Sequence, residues 1–224
     1  MKAYLLFTGT ELLLGQTLNT NAKYLACKLA AMGVDLYTIV TVGDNRGRIA
    51  QAIKDAQGKA DVVIINGGLG PTEDDVTREA LTDALGLELK ENPEAVKVTE
   101  QYFKRREMTI PAANSKLGLV PVGGRVLDNS IGTAPGIILC HQGVGYILLP
   151  GPPGELSTMF EKEGIPFLQK KYQIHSKIRS RVLKVIGLGE PIVEEKVKDL
   201  IKSTNPTLAP QAKQGEVHLR ITAK

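Results

Sequence analysis

The chain has 224 residues, 42% of them hydrophobic and 23% charged, which fits one or two globular domains with a sizeable core. Two cysteines, Cys27 and Cys140, exclude a disulfide framework and a cysteine-rich zinc site, and the three scattered histidines, His141, His175 and His218, read as surface or strand residues without ligand spacing. No apolar run reaches membrane-span length, and Met1 to Phe7 is too short for the apolar region of a signal peptide, so a cytoplasmic chain without membrane contact is expected.

Residues 2–7 read as a buried strand. Asn21 opens an amphipathic helix with Ala22, Leu25, Ala26 and Leu29 on one face, closed by Gly33. Val34–Val42 is the second strand. Gly43-Asp44-Asn45 turns into a helix carrying Ile49, Ala52, Ile53 and Ala56, closed by Gly58. Asp61–Ile65 is the third strand, and a glycine loop and another helix follow it. This alternation predicts a parallel α/β sheet with right-handed crossovers. Ligands of such sheets bind at the carboxyl ends of the strands. Three polar turns are expected to converge there: Thr8-Gly9-Thr10-Glu11, Val42-Gly43-Asp44-Asn45 and the loop from Gly67.

Asn92-Pro93 starts a helix towards Arg106. Leu119–Leu127 is punctuated by proline and glycine and reads as irregular. Ile137–Cys140 and Tyr146–Leu149 read as a hairpin across Gln142–Gly145. Cys140 and His141 would then face opposite sides of a strand, which disfavours a Cys–His pair. Leu149 to Glu155 is a stiff loop before a short helix through Phe160. A second unit starts near Ile174, with strand Ile178–Ile186, helix Pro191–Ile201 and strand Glu216–Thr222. The chain ends two residues past that strand, as a piece of a longer protein would.

Net charge is +4, unevenly spread: residues 1–169 carry 16 Lys and Arg against 19 Asp and Glu, residues 170–224 carry 12 against 5. The basic second unit invites a nucleic-acid reading, but aromatics are scarce at 4% and no Gly-x-x-Gly clamp is present. Its Lys and Arg read as a solvated face, and nucleic acid is not an expected partner.

The most informative stretch is Gly67-Gly68-Leu69-Gly70-Pro71-Thr72-Glu73-Asp74-Asp75-Val76-Thr77, between a strand and a helix start. Free backbone N–H groups there suit an anion. Carboxylates beside a phosphate would repel it unless a divalent cation stood between them. Asp75 is either such a ligand or the N-cap of a helix beginning at Val76. No Gly-Lys-Ser/Thr follows the glycines, and the third glycine of a dinucleotide fingerprint is missing. Glu11 is a solvated turn residue or lies near a metal. Asp44-Asn45 is a helix cap or a ligand contact. Gly132–Gly136, with Thr133, and Pro150–Gly154, with Gly151, are loops a ligand could approach or plain turns. Asn114 and Lys116 fall between elements, and Lys116 could neutralise a phosphate.

Thr8 to Thr17 with Asn19-Thr20-Asn21, Thr41 to Asn45, Gly67 to Thr77, Asn129 to Gly136 and Leu149 to Pro153 resemble, in order, the N-terminal domain of the competence/damage-inducible protein CinA family. The glycine loop resembles more distantly that of the molybdopterin-binding MogA, MoaB and MoeA proteins, in which an essential Asp occupies the place of Asp75. The resemblance implies a three-layer α/β/α domain over residues 1–170 and a small KH-like α+β subdomain over 174–224. It also implies metal-dependent ADP-ribose pyrophosphatase activity, yielding AMP and ribose 5-phosphate, with a divalent ion (Mg, Co, Mn or Ni) and potassium as cofactors and a homodimer as assembly.

On that resemblance Asp75, Asp74, Asp44 and Lys116 are the catalytic candidates, and Asp75, Asp44 and Glu11 the metal candidates. The nucleotide would be held from Thr8, Gly9, Thr10, Glu11, Asn21, Gly67, Gly68, Gly70, Thr77, Asn114, Gly132, Thr133, Pro150 and Gly151. The chain departs from the pattern at Leu69, where the molybdopterin proteins carry threonine, and at Leu117-Gly118, where CinA relatives show Gln-Ala. The alternatives are a molybdopterin or nucleotide module, binding or adenylyl-transferring without hydrolysis, and a non-enzymatic nucleotide sensor or scaffold whose basic tail meets nucleic acid.

Overall fold

β1 (Lys2–Thr8) is buried from Ala3 onward, as its apolar run requires of a strand covered on both faces. The next residues, expected as a turn, make one helical turn, α1 (Thr10–Leu13). α2 (Thr20–Ala31) begins before Asn21, because Asn19 Oδ1 accepts the Ala22 N–H at 2.9 Å and caps the helix. β2 (Asp35–Val42), α3 (Arg46–Ala56) and β3 (Val62–Asn66) lie close to their expected bounds. α4 (Thr77–Leu85) and the short β4 (Leu89–Glu91) precede α5 (Pro93–Arg105), whose N-cap Asn92 accepts from Glu94 and Ala95.

Residues 119–127, expected to be irregular, supply two three-residue strands, β5 (Leu119–Pro121) and β6 (Arg125–Leu127). β7 (Gly136–His141) and β8 (Val144–Leu149) form the expected hairpin. The helix expected to stop at Phe160 runs further: α6 (Pro153–Met159) passes through a π turn, Phe160–Gly164, into α7 (Ile165–Tyr172). Pro166 has no N–H to give the Lys162 carbonyl, and the ladder widens there, with the Ile165 N–H reaching Phe160 O.

The structure is a computed structural model and describes residues 1–174 and 178–223. His175 and the first part of the linker into the second unit lie outside the described residues. The main sheet has the order β2-β1-β3-β8-β7-β6. Its first four strands are parallel, and β7 and β6 then alternate. The sheet is thus mixed where strand–helix alternation predicted a parallel one, because a two-residue turn between β7 and β8 permits only antiparallel pairing. On one face Tyr4, Leu6, Val63, Ile65 and Leu148 pack with Ile49, Ile53, Ala80 and Leu81 of α3 and α4. The alternate residues Leu5, Phe7, Ile64, Ile147 and Leu149 are also buried, and Leu156, Met159 and Leu168 of α6 and α7 are buried with them. Helices cover both faces, giving three layers.

The chain divides into two units: Met1–Cys27 with Val34–Gln173, and Lys28–Gly33 with the described part of Ile174–Lys224. In the second, β9 (Arg179–Ile186), β10 (Thr207–Lys213) and β11 (Glu216–Ala223) form an antiparallel sheet, order β10-β11-β9, and α8 (Glu190–Ile201) links β9 to β10. Val193, Val217 and Leu219 make its small core. β10 escaped the sequence reading because Pro210 breaks the strand pattern; an edge strand tolerates proline. Among the described residues no helix is long and apolar enough to cross a membrane.

The Tyr172 hydroxyl ties α7 to the amino ends of β3 and β8, donating to Asp61 O at 2.5 Å and accepting from Gly145 N at 3.2 Å. Burial pushes this phenol up to about 12, so it keeps its proton. Tyr172→Phe removes both bonds and is expected to lower stability by about 1 kcal/mol, measured as the shift of the urea midpoint. An unchanged midpoint would contradict it.

Candidate functional site

Because β1, β2, β3 and β8 are parallel, the loops at their carboxyl ends meet at one edge of the sheet. They enclose a cavity of about 320 Å³. Thr8, Gly9 and Glu11 line it after β1, Asp44 after β2, and Gly67–Gly70, Thr72, Asp74 and Asp75 after β3. Pro150, Gly151, Pro152 and Glu155 follow β8. Thr133 and Ala134 enter from the segment before β7, which runs the opposite way. A smaller hollow of about 130 Å³ shares Thr8, Glu11 and Gly151 with it.

The glycine loop has a defined polarity. The Gly67 carbonyl accepts from Thr77 Oγ1 at 2.9 Å, the Gly68 carbonyl from the Thr77 N–H at 3.1 Å, and the Leu69 carbonyl from Arg78 Nη2 at 2.6 Å. All three carbonyls are therefore tied to the first turn of α4. A trans peptide is planar, with its N–H opposite its C=O. The N–H groups of Gly68, Leu69 and Gly70 consequently face the other way, and none has a partner among the described residues. Three successive free N–H groups make an anion cradle. Gly68 has φ +63°, and a Cβ there would lie 2.3 Å from Thr77 Oγ1, so both backbone and space demand glycine.

Around this cradle stand five carboxylates: Glu11, Asp44, Asp74, Asp75 and Glu155. No lysine or arginine among the described residues lines the cavity. Asp75 is not a helix cap; Val76 holds that position without a side-chain bond. The Asp75 carboxylate instead accepts from Thr72 N at 3.0 Å and Thr72 Oγ1 at 2.5 Å, while Asp74 Oδ1 lies 2.6 Å from the same hydroxyl. That hydroxyl has one proton, so it serves one carboxylate at a time. Its bond holds the Asp74 carboxyl below the usual carboxylate range. Asp44 Oδ2 accepts from the Thr10 N–H at 2.8 Å, and Asn45, not Asp44, caps α3.

Six expected contact residues do other work. Lys116 does not line the cavity. Its ammonium binds the backbone carbonyls of Thr72 (3.2 Å) and Asp75 and pairs with Glu79 at 3.4 Å, bracing the acid loop from behind. Thr10 and Thr77 are spent on the backbone bonds just described. Asn21, buried, donates to Asn66 Oδ1 at 2.9 Å and Gly151 O at 2.8 Å; Asn66 Nδ2 holds Leu149 O and Pro150 O at 3.3 and 2.5 Å. The pair fixes the proline loop. Asn114 lies in a 3-10 turn and faces a separate hollow of about 280 Å³. Gly132 lies beneath Glu155, where a Cβ would meet the carboxylate at 2.1 Å.

Two further residues were not singled out from the sequence. Asn129 accepts from Ile131 N and Gly132 N and donates to Ala134 O and Glu155 Oε2, satisfying its whole amide. Glu155 is the fifth acid of the cavity. Its signal was an acid in a helix first turn directly after Pro152-Pro153.

Burial raises the Glu155 carboxyl above its ordinary value of 4.5, partly offset by the Asn129 bond. A raised carboxyl binds its proton more tightly folded than unfolded, so stability falls as pH rises from the ordinary glutamate range through the raised value. Glu155→Gln escapes this loss. In EDTA, the urea midpoint of Glu155→Gln minus wild type should grow from pH 4 to pH 7; a flat or falling difference would refute the assignment.

Residues 4–170 match the family described as Probable molybdopterin binding domain, and residues 180–224 the Damage-inducible protein CinA KH domain. Relatives named as competence-damage inducible proteins in Moorella thermoacetica and Bacillus subtilis are 52% and 47% identical over 100% of the chain. The chain spans 54% of the length of each. The crystal structure of the protein CinA from Thermoplasma acidophilum superposes with a TM-score of 0.70 at 30% identity, over 74% of this chain and 98% of that one. MoaB of Thermus thermophilus, a molybdopterin biosynthesis enzyme, shares the fold at 16% identity and TM-score 0.53, over 77% and 95%. Matched domains, their order and these relatives agree: the chain belongs to the CinA family, a molybdopterin-binding-type α/β domain followed by a CinA KH domain.

Proposed function

We propose that the cavity is the active site of a metal-dependent ADP-ribose pyrophosphatase. The observation that carries this reading is an anion cradle beside five carboxylates, with no basic side chain among the described residues that line the cavity. A phosphate there needs a cation to offset the acids. The donors are hard oxygens of the kind a divalent ion takes. Among the described residues, though, no three of His, Cys, Asp or Glu are already grouped to hold a metal. The donors fit a divalent ion in chemistry but not in grouping, so ligand phosphate oxygens and water would supply most of its shell. Of the candidates Asp75, Asp44 and Glu11, no more than two would hold the divalent ion directly, and potassium would be the second cation. The divalent ion, when bound, polarises the phosphoryl oxygens and lowers the pKa of a coordinated water.

The substrate comes from the family resemblance. The adjacent hollows of about 320 and 130 Å³, which share Thr8, Glu11 and Gly151, support a ligand with two polar ends linked through a diphosphate. In this reading the N–H groups of Gly68, Leu69 and Gly70 bind one phosphate. Thr72, bonded to both Asp74 and Asp75, sets the direction of their carboxylates. One of these acids orients the water and takes the proton it gives up. The water oxygen bonds to one phosphorus as the bridging P–O bond breaks, and the bridging oxygen leaves on the other phosphate, giving AMP and ribose 5-phosphate. Lys116 acts indirectly, by holding the Thr72 and Asp75 carbonyls. Leu69, where the molybdopterin proteins have threonine, gives no support to a pterin ligand.

The test is AMP release from ADP-ribose with potassium and each of Mg, Co, Mn and Ni. Turnover should require the divalent ion, and Asp75→Asn should lower kcat by at least about a hundredfold while the fold, followed by circular dichroism, is unchanged. A folded Asp75→Asn with wild-type kinetics would remove Asp75 from the reaction. A folded wild type that releases no AMP with any metal would leave a binding or adenylyl-transfer module.

A further inference from the structure

The structure assigns to Arg78 a positioning role beneath the anion cradle: it holds the Leu69 carbonyl inward so that the Gly70 N–H is presented to a bound phosphate. This rests on reading the cavity as a phosphate site. Arg78 is fully buried, the largest side chain in the protein to be so. Among the described residues its guanidinium makes one hydrogen bond, from Nη2 to Leu69 O at 2.6 Å. Nε and Nη1 have no partner among the described residues. Among the described residues no carboxylate makes an ion pair with it; Glu79 and Asp75 act on it only through space.

A buried guanidinium with two unpartnered nitrogens is destabilising relative to an apolar side chain of its size. Holding one carbonyl does not require a charge, since a neutral amide would do. What a charge adds is field. The Leu69–Gly70 peptide lies between the guanidinium and the cavity, so the cation draws on the carbonyl end of that dipole and leaves its N–H end outward. The positive charge absent from the cavity wall is thus placed one peptide behind it. Thr77 turns the first two peptides of the cradle with neutral groups, and only the third is turned by a cation.

The experiment uses the full 224-residue chain, ¹⁵N-labelled, with inorganic pyrophosphate and Mg²⁺ as the probe. It follows the amide resonances of Gly68, Leu69 and Gly70. In the wild type all three are expected to shift. Arg78→Met should fold with a urea midpoint at or above wild type. The Gly70 response should be lost while those of Gly68 and Leu69 persist, and the pyrophosphate Kd should weaken about tenfold or more. Arg78→Lys, which keeps a charged donor, should recover the Gly70 shift and most of the affinity.

Wild-type affinity and an intact Gly70 shift in Arg78→Met would overturn the proposal. So would an Arg78→Met that is unfolded or destabilised with all three responses lost together, because that marks a role in the fold alone. AMP release separates this inference from the reading beneath it. A wild type that hydrolyses ADP-ribose while Arg78→Met keeps its Gly70 response leaves the hydrolase standing and removes Arg78. A wild type that shows the three shifts without turnover, with Gly70 alone silenced in Arg78→Met, supports the positioning role and removes the hydrolase.

Discussion

Three peptide planes between Gly67 and Gly70 have their carbonyls tied to the first turn of α4, and a planar peptide leaves no choice about where the other end goes. The rest of the site is built to keep those planes fixed. Thr77 is wholly buried because its hydroxyl and N–H are both committed to the loop. The Gly67 N–H is engaged by Leu149 O, which anchors the loop to β8. Asn66, the last residue of β3, reaches across to the Leu149 and Pro150 carbonyls at the end of β8, so two loops far apart in sequence are registered against one another. Every one of these groups satisfies a polar atom that burial would otherwise leave unmet.

The charges are arranged in two shells of opposite sign. Carboxylates face the cavity, and two cations, Arg78 and Lys116, lie behind the loop and touch it through backbone carbonyls. A cation on the cavity wall would pair with the acids and fill the space between them. Held behind the loop, it offsets their repulsion through the peptide dipoles and leaves their oxygens open. Asp44 and Glu11 illustrate the result: Asp44 has one oxygen engaged by the Thr10 N–H, and the carboxylate of Glu11 has no hydrogen-bond partner among the described residues.

The sequence was most legible where local rules decide. Apolar runs located β1, β2 and β3, helix periodicity located α3 and α4, and the glycine loop declared itself by composition. The family resemblance extended this to the whole chain. What escaped depended on distance. Lys116 was assigned to a ligand because nothing in its neighbourhood reveals carbonyls 41 and 44 residues away. Asn21 had no visible reason to turn inward until β3 and the proline loop stood beside it. Glu155 was present in a stretch dominated by prolines, and its burial depends on Asn129 and Gly132 from another loop. β6 and β10 were missed for a different reason. The one is three residues long and the other carries Pro210, so neither gives a period-two pattern strong enough to count.

The strand order also governs when the cavity can exist. β3 lies at the centre of the sheet between β1 and β8, yet β8 is about eighty residues further along the chain. Closing that span costs loop entropy before its contacts return anything, and pairings of such separation slow folding. As the chain emerges from synthesis, β1, β2 and β3 with α3 and α4 can pack first, but β3 then presents a bare edge of Val62 to Asn66 until Leu149 is available. A nascent or truncated chain ending before residue 144 would carry that apolar edge into solution, the kind of template on which unrelated strands aggregate. The glycine cradle, fastened to Leu149, would be among the last features to form, which makes completion of the site a report on completion of the fold.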